Sequence, residues 1–329
     1  MSDEPDLKQE LHQFSADFAA LRQALAEILV GHAEVIELTL AAMIAGGHVL
    51  LDGPPGVGKT LLGRTLAQLL DVKYRRIQFT SDLMPADVIG TYLVMESQGR
   101  RRFEFQQGPI FTNLLLADEI NRATPKTQAA LFEALEERSL TVANETYELP
   151  APFFTLATQS LGDIEGTFPV PETQLDRFFF KLTLPAPTGG ELETVLQRAT
   201  EAHAKPVKRI LDAKRIVAMS QLARSVSVPP DVLRHVASLV TATHPGQPAA
   251  PESTRRFVLR GASPRAGQAM ILAAKVLAAD GGRTQISRDD VQRVALPALR
   301  HRITLSFDGH AQETGIDGIV ADILRSQAK

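Results

Sequence analysis

His48-Val-Leu-Leu-Asp-Gly-Pro-Pro-Gly-Val-Gly-Lys-Thr60 joins a short apolar run to a glycine-rich loop. His48 to Asp52 reads as a buried strand ending in an acid, and Leu61 to Leu70, apolar-rich and free of proline, reads as the helix that follows. Strand, loop and helix in that order are the setting in which G-x-x-x-x-G-K-[ST] cradles phosphate. Glycines at 53, 56 and 58 let the backbone curve around phosphate oxygens with no Cβ in the way. Successive N–H groups and the helix N-terminus then offer partial positive charge to an anion. Lys59 can reach β- and γ-phosphates, and Thr60 can present its hydroxyl to Mg²⁺. The set expected to contact a nucleoside triphosphate is Gly53, Pro54, Pro55, Gly56, Val57, Gly58, Lys59, Thr60 and Leu61.

The rest of the composition narrows the class. A chain of 329 residues with 44% apolar and 22% charged residues has material for one large or two medium domains. A net charge of −3 gives no global basic field for nucleic acid or an anionic membrane. With no cysteine there are no disulfides, thiolate nucleophiles or Cys-ligated zinc, and the eight histidines form no H-E-x-x-H pair. Met1 to Glu10 is acidic and polar, unlike a signal peptide, and no apolar run nears the ~20 residues of a membrane span. The expectation is a cytoplasmic protein with no membrane span.

Upstream of the loop, Leu7, Leu11, Phe14, Phe18, Leu21, Leu25 and Ile28 recur at steps of four and three, one apolar helical stripe. Ala33 to Ala45 reads as a second helix, and Val30 to His32 is a candidate for base contact. Downstream, Arg75 to Phe79 reads as a strand and Asp82 to Tyr92 as irregular. Tyr92 to Glu96 and Arg101 to Phe105 flank turn-like residues and predict a hairpin, whose Arg100 to Arg102 suits either a solvated tip or a grip on a passing polymer.

Leu114-Leu-Leu-Ala-Asp-Glu119 is the second landmark. Four apolar residues make a central strand, with two carboxylates at its carboxyl end, where open α/β sheets bind ligands. Asp118 is the candidate Mg²⁺ residue, and Glu119 the candidate for polarising the attacking water. Thr124-Pro125 starts a helix to about Glu137, whose Glu133, Glu136 and Glu137 read as a solvated face. A hairpin around Asn144-Glu145, a strand at Phe153 to Ala157 ending in Thr158-Gln-Ser160, a short helix at Pro171 to Arg177 and a strand at Phe178 to Leu184 follow. Turn residues gather in Pro185 to Gly190, which places a boundary between domains 1–187 and 188–329. Beyond it the pattern is helical, near 191–203, 213–223, 230–242, 264–279, 288–298 and 316–326, with Ser263 and Ser287 as caps.

GPPGVGKT, IQFTSDLMPADVIG, LLLADEINRATPKTQAALFEALEE, EGTFPVPETQLDRF and GASPRAGQA, in that order, resemble the MoxR-type AAA+ ATPases over about residues 25–305. The resemblance implies a P-loop α/β fold, an αβα sandwich with a parallel central sheet, plus an all-α helical lid. It implies ATP and Mg²⁺ as cofactors, and self-assembly into a homohexameric ring with ATP between neighbours. The two hairpins fit the helix-2 and pre-sensor insertions, which face the central pore in relatives. Arg177, in LDRF, falls where an arginine finger reaches the neighbour's ATP, and Arg265, in GASPR, where the lid's sensor arginine approaches the γ-phosphate. A guanidinium is always charged and forks onto phosphate oxygens, which suits both roles. Ser160 stands where the family usually has an asparagine that senses phosphate or positions water; serine is shorter and lacks the amide's second donor, so slow hydrolysis is expected.

Family resemblance therefore implies chaperone-like remodelling or maturation of a client protein, in relatives often a von Willebrand A domain protein. An ATP-gated assembly scaffold with incidental turnover is the alternative. A nucleic-acid motor is a weaker one, given the negative charge and the lack of a helix-turn-helix or zinc module.

Overall fold

The computed structural model describes residues 4–97, 100–159, 166–200, 207–311 and 315–327. Contacts divide the chain into two compact units, one of residues 50–177 and 184–213, the other of residues 1–49, 178–183 and 214–329. In chain order, helices α1 (Glu4–Ala26) and α2 (Ala33–Ala45) precede strand β1 (Val49–Asp52). Next come α3 (Lys59–Leu70), β2 (Tyr74–Gln78), α4 (Pro85–Ile89), β3 (Gly90–Ser97), β4 (Arg100–Gln107) and β5 (Leu114–Asp118). A 3-10 turn (Ile120–Arg122) leads to α5 (Pro125–Glu137), β6 (Ser139–Val142), β7 (Glu145–Glu148), β8 (Phe154–Thr158), α6 (Glu172–Leu175) and β9 (Phe180–Thr183). There follow α7 (Gly189–Thr200), α8 (Ala213–Ser225), α9 (Pro230–Ala242), α10 (Glu252–Phe257) and β10 (Val258–Arg260). The last elements are α11 (Pro264–Asp280), α12 (Arg288–Leu299), β11 (Thr304–Leu305), α13 (Phe307–His310) and α14 (Gly315–Ser326).

The architecture is α/β, with helices flanking a central sheet of strand order β2-β5-β8-β1-β9. β2 pairs with β5, and β5 with β8, in parallel. Every residue of β5 and β8 is buried, which is why neither LLLA nor FTLA alternates polar with apolar, Thr155 being the single polar residue among them. At the exit from β1 the backbone requires glycine: Gly53 has φ +144°, and a Cβ there would lie 2.4 Å from the Leu184 carbonyl oxygen.

Two hairpins leave the first unit. β3 and β4 pair antiparallel from Gly90↔Gln107 to Ser97↔Arg100. Leu93, Val94, Met95 and Phe103 on this hairpin are exposed. β6 and β7 close through Ala143 and Asn144, both at positive φ, so the two-residue turn sits one residue earlier than Asn144-Glu145. Phe105 lies 4.5 Å from the Tyr147 ring centroid and 5.9 Å from that of Phe111. The Tyr92 and Tyr147 hydroxyls meet at 2.9 Å, and Tyr147 donates to Glu145 at 2.5 Å. The segment 82–92, read as irregular, contains helix α4. Pro85 supplies its first position, and Asp87 accepts the Met84 N–H at 2.8 Å.

In the second unit α1 packs on α2 and α11 through Leu11, Phe14, Phe18, Leu21 and Leu25, each at most 1% exposed. Leu7 and Ile28, the ends of the predicted stripe, are only half-buried; Leu29 is buried instead. Helix α11 is the hub, touching α1, α2, α9 and α12, and its buried Ala266, Gly267, Ala269, Ala273 and Ala274 let these helices approach closely. Ser263 and Ser287 cap α11 and α12 as their positions predict, and Asp290 completes a capping box. Local patterning did not disclose helix α10 or the two-stranded β10–β11 ladder, elements too short to leave a periodic signal. No described helix is long and apolar enough to cross a membrane.

His301 is buried in this unit, its Nε2 2.9 Å from the Phe178 carbonyl oxygen, and Arg302 donates to the same oxygen at 2.6 Å. Desolvation, followed by the Arg302 charge, pushes the imidazole well below its ordinary range, so the ring is neutral and Nε2–H donates. The unfolded chain takes up this proton more readily. The His301 contribution to stability is thus complete above the unfolded value, near pH 6.5, and is lost as pH falls toward the folded one. His301→Gln keeps a donor without the titration. Its urea midpoint is expected to fall less than wild type between about pH 7.5 and about pH 5.5. Parallel losses would refute this.

Candidate active site

Gly56 and Gly58 both take positive φ, +83° and +100°, and Gly58 is the N-cap of the 12-residue helix α3. A glycine cap has no side chain to occupy the first N–H groups, which leaves the helix start open to an anion. Lys59 Nζ donates to the Gly53 carbonyl at 2.6 Å and lies 3.4 Å from that of Pro54, so the ammonium folds back across its own loop. Asp52 fixes the loop entrance by accepting the Gly53 N–H at 2.8 Å. Pro54, Pro55, Gly56, Thr60 and Leu61 are exposed; Gly53, Val57, Gly58 and Lys59 are half-buried.

In the sheet only β8 separates β1 from β5, so a parallel sheet brings the loop after β1 and the acids ending β5 to one edge. Asp118 is nearly buried. Thr158 Oγ1 donates to its Oδ1 at 2.6 Å, while Arg76 donates to Oδ2 through Nε at 3.1 Å and Nη2 at 2.6 Å. Glu119 has left-handed backbone, φ 57° and ψ 51°, a conformation that costs a non-glycine residue about 1–3 kcal/mol. Its N–H donates to the same Thr158 hydroxyl at 2.8 Å. Thr158 thus ties the two acids together, and the strained backbone turns the Glu119 side chain off the strand. Glu119 Oε2 accepts from Gln78 at 2.9 Å and from Arg122 at 3.1 Å.

Four participants, Thr158, Arg76, Gln78 and Arg122, were not assigned from sequence. Thr158 was visible only as a polar group at a strand end. Arg76 and Gln78 are polar at alternate positions of β2 around buried Ile77, a weak hint that they share a face next to β5.

Arg177 lies against α5. Its Nη1 donates to the Phe132 carbonyl at 2.7 Å and its Nη2 pairs with Glu136 at 2.9 Å, beside Ala129, Glu133, Glu137 and Gln174. Arg265 belongs to the second compact unit, where it follows Pro264 in the first turn of α11, is half-buried, and gives its N–H to Ser263 Oγ at 3.2 Å. His32 is buried at the start of α2. Ser160 lies outside the described residues.

A carboxylate and a hydroxyl are hard oxygen donors suited to Mg²⁺. No cluster of three or more His, Asp or Glu that could hold a metal gathers among the described residues.

A phosphate loop opening an uncapped helix, beside a strand that ends in two tethered acids, defines the class of nucleotide-binding P-loop ATPases. Residues 48–180 match the model of the ATPase family associated with various cellular activities (AAA), and residues 252–323 match the AAA lid domain. The chaperone MoxR1 of Mycobacterium tuberculosis is 36% identical over 95% of this chain and 83% of its own length. The protein MoxR of Paracoccus denitrificans is 30% identical over 91% and 92%. A crystal structure from Cytophaga hutchinsonii, described as a candidate ATPase, superposes with a TM-score of 0.89 at 31% identity, covering 99% of this chain and 98% of that one. The chain belongs to the MoxR-type AAA+ ATPases.

Proposed function

We propose that the chain works as a ring-forming ATPase that couples ATP binding and hydrolysis to remodelling or maturation of a partner protein. The observation that carries the catalytic part is the Thr158 hydroxyl joining Asp118 to Glu119, which fixes a metal-type acid and a water-type acid in one geometry. Gly53 to Leu61 bind the triphosphate: the loop N–H groups and the α3 N-terminus take phosphate oxygens, and Lys59 exchanges the Gly53 carbonyl for them. Thr60 and Asp118 would hold Mg²⁺, which supplies charge neutralisation at the phosphates. Glu119 orients and polarises the attacking water, Arg177 serves a neighbouring subunit, and Arg265 keeps the sensor role that family resemblance gives it. We take residues 1–187 as the nucleotide-binding domain and 188–329 as the lid, with the family matches at 48–180 and 252–323 in support, while the compact units group 1–49 and 178–183 with 214–329, and 184–213 with the first unit.

The chaperone name of a relative supports a protein client; the von Willebrand A domain partner is what family resemblance adds. Exposed Val94, Met95 and Phe103 on the β3–β4 hairpin are apolar surface suited to such a client. Ser160, in place of asparagine, supports slow turnover and lends weight to a second reading, an ATP-gated scaffold in which ring formation is the output.

Sedimentation with and without an ATP analogue tests assembly; a chain that stays monomeric in both does not form the ring. Ser160→Asn is expected to raise kcat by about ten-fold, since an amide adds a second donor for water or phosphate. Wild-type turnover of several per second, unchanged by the substitution, would remove the slow-ATPase proposal.

A further inference from the structure

Asp118 already has a cationic partner before any metal arrives. Arg76 donates twice to Oδ2, at 3.1 and 2.6 Å, and Thr158 once to Oδ1, at 2.6 Å. An ionised carboxylate offers about four acceptor positions, so these three donors leave little of it for a hydrated cation. The same Arg76 Nη2 donates to Gln78 Oε1 at 2.7 Å, and the other end of that amide, Nε2, donates to Glu119 Oε2 at 2.9 Å. One guanidinium and one amide therefore connect the two acids in series.

We propose that Arg76 is a resident counter-cation of the metal site, which a divalent ion must displace from Asp118. The proposal rests on Asp118 being the metal residue. A guanidinium cannot give up its proton, so it yields the carboxylate only by moving. Arg76 can move: its side chain is 47% exposed while that of Asp118 is 13% exposed, so the cation exchanges a partner for water and the acid does not. While Arg76 stays, the Asp118–Arg76 pair presents no net charge to draw in a cation, and the guanidinium occupies the oxygen that would face it.

The test is Mn²⁺ titration, read by electron paramagnetic resonance of the free ion, into protein saturated with a non-hydrolysable ATP analogue. Arg76→Gln keeps a polar side chain of similar reach without the charge, and is expected to tighten Mn²⁺ by about ten-fold. Dividing by the analogue affinity measured in chelator cancels any general weakening of the pocket. An Arg76→Gln protein that binds Mn²⁺ equally or more weakly on this ratio overturns the proposal. Asp118→Asn separates it from its premise: weaker Mn²⁺ binding supports the metal role of Asp118, whereas unaltered binding removes that role and the Arg76 proposal with it.

Discussion

Glu119→Gln is expected to lower ATP hydrolysis by about 10²- to 10⁴-fold while leaving nucleotide affinity within a few-fold of wild type. The substitution is nearly isosteric, so the left-handed backbone and the Thr158 bond to the Glu119 N–H have no reason to change. An amide oxygen can still accept from Gln78 and Arg122. What disappears is the negative charge that draws a proton from water as it attacks. Phosphate release and analogue binding, measured on the same preparation, separate the two quantities. A rate within ten-fold of wild type would mean that another group polarises the water. The variant also divides the two functional readings: a remodelling ATPase loses its output, while an ATP-gated scaffold keeps assembly and partner binding.

Arg177→Ala is expected to cost on the order of 10³-fold in hydrolysis within assembled rings. Its stability effect should be small by comparison. The Glu136 pair is partly exposed on both sides, 29% and 33%, and such pairs contribute about 0–1 kcal/mol. A residue that merely fastened the end of α5 would show that small stability change and no rate change, so the size of the kinetic effect decides. Mixing Lys59→Ala subunits with Arg177→Ala subunits should recover part of the activity, because some junctions then combine an intact loop with an intact arginine. A confirmed mixed ring with no recovery would argue that Arg177 acts only on its own subunit. Activity at dilutions that abolish association would argue the same.

The parts of the site legible in sequence were those whose chemistry is local. Gly53 to Thr60 carry loop, cap and cation within one short segment, and Asp118-Glu119 announce themselves by ending an unbroken apolar strand. What stayed hidden depends on sheet register. Arg76 and Gln78 precede Asp118 by about forty residues and meet it only because β2 lies against β5 with Gln78 opposite Asp118. Thr158 arrives from the other side, through β8. No periodicity in a single segment encodes which strand becomes whose neighbour. The same limit explains the smaller differences: the Ala143-Asn144 turn is selected by backbone twist, and α4 needs only five residues, too few for a helical pattern to register.

Helix α5 has a consequence of its own. It begins shortly after Glu119 and, being 13 residues long, extends about 20 Å. At its far end Arg177 grips Phe132 and Glu136, and the β6–β7 hairpin departs directly after Arg138. That hairpin is in turn locked to β3–β4 by Tyr92, Phe105 and Tyr147. A single rod therefore runs from the segment after Glu119 to the two joined hairpins, so a tilt imposed at one end would be delivered as leverage at the other.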